Sequence, residues 1–337
     1  MKLGPVFGRM GMQPLVSIII PTYNRSGLLK RAIRSVLEQD YRPLELVVVD
    51  DGGTDDTPAV LQGLRPSVVE AGVAPVFVRK ENGGLGRARQ AGVEASHGEL
   101  FGWLDDDDTF EVAKTRKQVA RLQETGADVC CCYLTKVTPT GNERHPAGKK
   151  RLMTGFDPGA YVSGAAYAHI NSMLIRRGKF DEVGEFDPEL KLSQDVEWCA
   201  RLAHLATFCA VEEELGTWDF NPAAATRVNS MEDLIRRDEY EELVRLKMRE
   251  RNHKRSNWDQ QAWVERVARD YDQFVKHLLY AGRVKDARKK WELGMELTGG
   301  YSPLPRLRSK LRRAIVLALF GRKLKHPKFD TAEEISM

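Results

Sequence analysis

Apolar residues recur in two alternating rhythms along the first 135 positions. Residues 16–20 (Val-Ser-Ile-Ile-Ile) are a short β-branched run closed by Pro21, the pattern of a buried strand. Residues 27–39 then carry Leu28, Leu29, Ala32, Ile33, Val36 and Leu37 at helical spacing. A second strand over 44–49 ends in Asp50-Asp51-Gly52-Gly53. A helix over 54–64 follows, capped by Thr54 or Asp55. The alternation continues with a strand at 76–78, a helix at 84–95, a strand at 100–104, a helix at 112–123 and a strand at 128–134. Strands that alternate with helices predict right-handed βαβ units and an α/β fold with a mainly parallel, Rossmann-like sheet.

In such sheets ligands sit outside the carboxyl ends of the strands. The polar signals fall at those ends: Thr22-Tyr23-Asn24-Arg25, Asp50-Asp51, Asn82 with its glycines, and Asp105 to Asp108. Four loops far apart in sequence are thereby predicted to meet at one crevice.

Beyond residue 135 the rhythm weakens. Residues 144–164 are Gly- and Pro-rich with basic Lys149, Lys150 and Arg151, and read as a mobile loop or lid. A strand is expected at 172–175, and a helix over 194–205 opened by Ser193. After about residue 229 the chain is helical and highly charged. The predicted division is a catalytic region over 14–228 and a helical C-terminal region over 229–337. The first splits into a nucleotide-binding half (14–134) and an acceptor half (135–228).

Composition narrows the class. With 337 residues, 30% of them charged, and a net charge of +4, the chain reads as a globular protein and not as a general nucleic-acid binder. Its five cysteines include the consecutive Cys130, Cys131 and Cys132 but no Cys-x-x-Cys pair, so free thiols in a cytoplasmic setting are expected. No apolar run has signal-peptide or membrane-spanning length. Met12 can serve as the natural start.

The strand-end residues suggest chemistry. Clustered carboxylates suit a hard divalent cation, which takes oxygen ligands and bridges to phosphate; they suit a solvated acidic loop equally. Tyr23 offers a ring for stacking on a base, or is a surface aromatic. Asp51 at a strand tip can accept hydrogen bonds from base or ribose. Asn82-Gly83-Gly84-Leu85-Gly86 permits close backbone approach, or is only a turn. Arg87 and Arg89 can neutralise phosphate, or lie on a solvated helix face.

The strings VSIIIPTYNR from Val16, VVVDDGGTDD from Val47, NGGLGRARQAG from Asn82 and LDDDD from Leu104 resemble family 2 glycosyltransferases with a GT-A fold. The resemblance runs in order over about residues 16–134 and more weakly to about 229. It implies a metal-dependent, inverting transfer of a sugar from a nucleotide-diphosphate donor, a UDP-sugar above all, to a hydroxyl acceptor. Pro21, Thr22, Tyr23 and Asp51 would hold the base, with Asn24, Arg25, Asn82 and Gly86 in the same nucleotide site and Arg89 near the diphosphate. Asp105-Asp106-Asp107 matches the Asp-x-Asp motif. Asp106 would meet the ribose, and Asp107 would ligate Mg²⁺ or Mn²⁺ with Asp105 close by. Asp108 would cap the next helix. The family segment that usually carries Glu-Asp reads Gln194-Asp195 here, which makes Asp195 the expected base or else a helix cap. Glu197 is a weaker candidate, and Asp187 fits a turn. The Gln-x-x-Arg-Trp string of processive synthases is absent, which favours single additions in surface glycan assembly.

The segment 304–325 is basic and apolar, with Leu304, Leu307, Leu311 and Ile315 able to share a helical face. It can contact an anionic membrane, a second copy or its own domain. A glycan or lipid-linked acceptor, peripheral attachment to the inner membrane face and a homo-oligomer follow as expectations. The alternatives are a sugar-phosphate nucleotidyltransferase and a non-catalytic scaffold.

Overall fold

The computed structural model describes residues 13–219 and 228–326, so Met12 lies outside the described residues. The chain falls into two compact units. The first holds the described residues of Met1–Ala147, Ala168–Glu185 and Thr207–Phe220. The second holds those of Gly148–Tyr167, Phe186–Ala206 and Asn221–Met337.

The predicted alternation appears as Val16–Thr22 (β1), Ser26–Leu37 (α1), Leu44–Asp50 (β2), Thr57–Glu70 (α2), Val73–Arg79 (β3), Leu85–Ala95 (α3) and Leu100–Trp103 (β4). Every residue of β1 and β2 is buried. That explains their mainly apolar sequences, since parallel strands are covered on both faces; the polar residues inside them, Ser17 and Glu45, satisfy each other through a hydrogen bond of 2.6 Å. The start of α2 corrects the expected cap. The cap position is Asp56, and the Asp55 carboxylate instead accepts the backbone N–H of Thr57 at 3.1 Å and of Ser26 at 2.9 Å. The helix also runs past the expected end at 64, through Pro66 to Glu70. Proline removes one N–H and crowds one turn, but the flanking residues continue the helix.

Next come Thr109–Phe110 (β5), Lys114–Thr125 (α4), Val129–Thr138 (β6), Gly141–His145 (β7), Arg151–Leu152 (β8), Pro158–Ser163 (α5) and Ala166–Tyr167 (β9). The stretch read as a lid therefore carries regular structure: α5 is capped by the Asp157 carboxylate, which accepts the Ala160 N–H at 2.9 Å. A 3-10 turn at Ile170–Ser172 leads into Leu174–Arg176 (β10) and Arg177–Val183 (α6). Gln194–Ala203 (α7) and Phe208–Trp218 (β11) follow.

The sheet of the first unit has nine strands in the order β3-β2-β1-β4-β10-β6-β11-β5, with β7 pairing to β6. Strands β3, β2, β1 and β4 are mutually parallel, with Val16 opposite Leu44 and Leu100. Beyond β4 the sheet is mixed, because β10 runs antiparallel to both β4 and β6. Its core is a continuous apolar cluster that includes Ile18, Ile20, Leu29, Ile33, Leu46, Val48 and Leu100. Gly92 lets α3 lie on β1; a Cβ there would come 2.3 Å from Ile19 Cγ2. All five cysteines are buried free thiols.

The second unit is largely helical: α5, α7, then Met231–Asn252 (α8), Gln260–Tyr280 (α9), Val284–Thr298 (α10) and Leu307–Leu319 (α11). Trp263, Val267, Phe274, Val275 and Leu278 place the inner face of α9 in its core. Segments 148–167 and 186–206 cluster with these helices. No helix among the described residues is long and apolar enough to cross a membrane.

Candidate nucleotide and metal site

The turn after β2 is organised by its two carboxylates. Asp50 is buried, accepts the Gly53 N–H at 2.9 Å and pairs with Arg79 at 3.0 Å. Asp51 is equally buried. It accepts the N–H groups of Gly83 at 3.0 Å and Gly84 at 2.8 Å, and the Lys80 ammonium at 2.7 Å. It therefore pins the glycine turn that precedes α3. Gly52 between them has φ +77°, and a Cβ there would lie 2.8 Å from the Asn82 nitrogen. Asn24, at φ +54°, accepts from the backbone of Thr54 at 2.6 Å and Asp55 at 3.3 Å. These loops belong together because each fills the hydrogen-bonding needs of the next. Pro21 is buried, whereas Tyr23 is 47% exposed beside it. Asn82 is exposed and Gly86 is half-buried at the start of α3.

The four carboxylates after β4 have four different environments. Asp105 receives Arg89 at 2.8 Å and the Asn171 amide at 3.2 Å. Arg89 is itself almost fully buried, so its charge is directed at Asp105. Burial alone would raise the Asp105 pKa, but Arg89 and the hydrogen bonds outweigh it and hold it below the usual range. Asp106 accepts from Thr22 Oγ1 at 2.7 Å and from Arg25 at 3.1 Å. Desolvation dominates there and raises it to about 6, with Thr22 and Arg25 opposing. Asp107 is half-buried and pairs with the same Arg25 nitrogen at 3.1 Å, and its backbone carbonyl accepts from Arg31.

Asp108 departs from its expected part as a helix cap. The cap position of α4 is Ala113. Asp108 is instead buried and accepts the Asn171 amide at 2.5 Å and the Asp219 N–H at 2.8 Å. Burial, with Asp105 nearby, pushes it well above the ordinary carboxylate value.

Several site residues were not foreseen. Asn171 and His169 come from the 3-10 turn before β10. His169 Nδ1 accepts the Asn171 N–H at 3.2 Å, and its ring lies 5.3 Å from Trp218. The His145 ring stands edge-on to Trp218 at 4.9 Å. Asp219 pairs with Arg31 at 2.5 Å. A polar His-x-Asn directly before an apolar strand was the available signal for the first pair. Nothing marked Asp219, because β11 itself was not expected.

Asp195 lies on the second unit, in the first turn of α7. The preceding Ser193 has φ +54° and makes no side-chain cap, so the predicted opening of the helix by Ser193 holds in position only. Burial, and then charges that include Asp195, raise the hydroxyl pKa of Tyr161 and Tyr167. Glu197 is fully buried and ion-paired to Arg201 at 2.9 Å and Arg251 at 3.2 Å, which makes it a structural carboxylate. Asp187 closes a turn by accepting the Glu189 N–H at 2.9 Å and also binds Lys247 and Arg251.

No three His, Cys, Asp or Glu side chains among the described residues are grouped to hold a metal unaided. Both Asp105 oxygens are engaged by Arg89 and Asn171, and Asp107 is paired through Oδ2 with Arg25, so a cation at the loop would share the Asp107 carboxylate with that guanidinium. One carboxylate with the remaining ligands from phosphate and water fits Mg²⁺ or Mn²⁺.

Residues 17–184, about half of the chain, match the family model "Glycosyl transferase family 2". An uncharacterized glycosyltransferase of Rickettsia prowazekii is 31% identical over 196 residues, covering 55% of this chain and 57% of the relative. The chain thus spans a little over half of that relative's length. Among solved structures, S. aureus TarS 1-349 in complex with UDP superposes with a TM-score of 0.62 at 19% identity, covering 89% of this chain and 87% of that one. The Pyrobaculum calidifontis mannosyltransferase PcManGT, in complex with GDP-Man and Mn²⁺, superposes at 0.59 with 18% identity and coverages of 93% and 89%. At such identities the likeness establishes the fold, which is GT-A. With the family model, the ordered strand-end motifs and this fold in agreement, the chain belongs to glycosyltransferase family 2.

Proposed function

We propose that this chain transfers a sugar from a nucleotide-diphosphate donor, a UDP-sugar, to a hydroxyl of a glycan or lipid-linked acceptor, with inversion. The observation that carries the reading is the link between two strand ends. Thr22 at the end of β1 and Arg25 just after it hold Asp106 and Asp107 after β4. This supports a nucleotide site in which Tyr23 stacks on the base, Pro21, Thr22 and Asp51 line it, and Asp106 meets the ribose.

Asp107 would hold Mg²⁺ or Mn²⁺, which when bound offsets negative charge on the diphosphate. Arg89 acts on the same region through Asp105, keeping that carboxylate ionised. Asp195 takes the proton of the acceptor hydroxyl as its oxygen attacks the anomeric carbon. The bond from that carbon to the diphosphate oxygen breaks, and the nucleoside diphosphate leaves. TarS with UDP and PcManGT with GDP-Man are both consistent with a diphosphate donor; the preference for uracil comes from the sequence resemblance.

The test is release of UDP or GDP from a panel of UDP-sugars and GDP-mannose in the presence of Mn²⁺. Asp195→Asn should keep donor binding and lose about 10²–10⁴-fold in turnover. Donor binding without release from any donor would favour a non-catalytic scaffold.

A further inference from the structure

The last helix divides its apolar residues between two destinations. Leu307, Leu311 and Ala314 recur at helical spacing on one face and are buried, with Leu304 and Leu324 buried on either side of the helix. That face packs on α9 and α10, where Lys310 also reaches the Tyr280 hydroxyl at 2.6 Å. The sequence placed Ile315 on this inner face, but it is 38% exposed.

The opposite face does not follow the usual rule for a surface helix. Val316 is 54% exposed, Leu319 79% and Phe320 75%. On a 100° wheel these three line up with Arg312, and Arg308 and Arg313 flank the row. Gly321 ends the helix, and Arg322 and Lys323 follow, both exposed. Residues 301–326 include eight Lys or Arg and no Asp or Glu. Among the described residues, no ion pair is made by Arg308, Arg312, Arg313, Arg322 or Lys323. An apolar tip ringed by unpaired cations is a surface that water solvates poorly and that a polyanion complements.

We propose that α11 docks this chain on an anionic lipid surface. Val316, Leu319 and Phe320 enter the acyl boundary, and Arg308, Arg312, Arg313, Arg322 and Lys323 meet the headgroup phosphates. This is the arrangement of an interfacial helix whose apolar residues insert beneath a belt of cations. The inner face keeps the helix fixed to α9 and α10, so the anchor is rigidly part of the second unit. The proposal stands apart from the catalytic reading, because vesicle binding is measured without turnover.

The test uses the full chain and flotation with vesicles of phosphatidylcholine alone or with phosphatidylglycerol added. Deleting the tail would remove Leu304, Leu307 and Leu311 from the helical core, so surface substitutions are the better instrument. The native chain should float only with anionic vesicles, and less as salt is raised. V316E/L319E/F320E and R312E/R313E/R322E/K323E should each bind at least about tenfold more weakly, with unchanged melting. Phe320→Trp should shift its emission to the blue on anionic vesicles alone, and it carries the test if a multiple variant fails to fold. Failure of the native chain to float, or native-like binding by both variants, would overturn the proposal. So would blue emission without lipid together with elution as a dimer, which would make this face a contact between copies.

Discussion

The hydroxyl of Thr22 donates to Asp106 Oδ2 at 2.7 Å across 84 positions of sequence, joining the ends of two adjacent parallel strands. The acceptor is a buried carboxylate with a pKa raised to about 6 by desolvation, so the bond supports a group that burial disfavours. Thr22→Val should cost about 1–3 kcal/mol, the usual penalty for leaving a buried partner unmet. Denaturant midpoints on the two proteins check this, and an unchanged midpoint would contradict it.

Asn171 makes a larger structural contribution. Its amide donates to the half-buried Asp105 and to the buried Asp108, two carboxylates that repel one another. Asn171→Leu removes both bonds and should destabilise the first unit by about 3 kcal/mol or more. Asn171→Asp should be worse, because it adds a third carboxylate to the cluster. Thermal melts of both variants give the order.

Much of this arrangement was readable beforehand, for a definite reason. Strands β1 and β2 are buried on both faces, so they are mainly apolar and their polar ends stand out. Strand β11 was missed because Glu212, Glu213 and Glu214 interrupt it. There the pairing with β6 shifts register between Val211 and Glu214 and again before Thr217, which lets the acidic residues face outward. Asn171 was missed because its role depends on partners 63 and 66 positions away. Asp108 was misread as a cap because local sequence favours that reading and only the fold brings Asp219 beside it.

Close packing between α3 and β1 gives a third prediction. The Cβ of Gly92→Ala would meet Ile19 Cγ2 at 2.3 Å, an overlap that must push helix or strand aside. The expected cost is about 1–3 kcal/mol. Ile19→Ala removes the opposing methyl, so the double variant should lose less than the sum of the singles. Strict additivity in a double-mutant cycle would count against this contact.

The second unit should lose stability on mild acidification. His204 is buried, donates its Nδ1–H to Asn257 Oδ1 at 3.1 Å, and stacks on Trp258. Desolvation lowers its pKa below the ordinary value near 6.5. The unfolded chain therefore binds this proton first as pH falls. The stabilising difference is complete above about pH 6.5 and is lost as pH drops through the folded value. His204→Phe should flatten the fall in stability between about pH 7 and pH 5. Denaturation curves at several pH values test it, and an equal slope in both proteins would refute it.

The central claim is that the carboxylates after β4 form a metal-assisted nucleotide site. The most direct measurement is calorimetric titration of UDP and of GDP, each with and without Mn²⁺, on the native chain and on Asp107→Ala. Metal-dependent binding of UDP that Asp107→Ala abolishes is the predicted result. Binding of neither nucleotide under any metal condition, or binding that Asp107→Ala leaves intact, would contradict it.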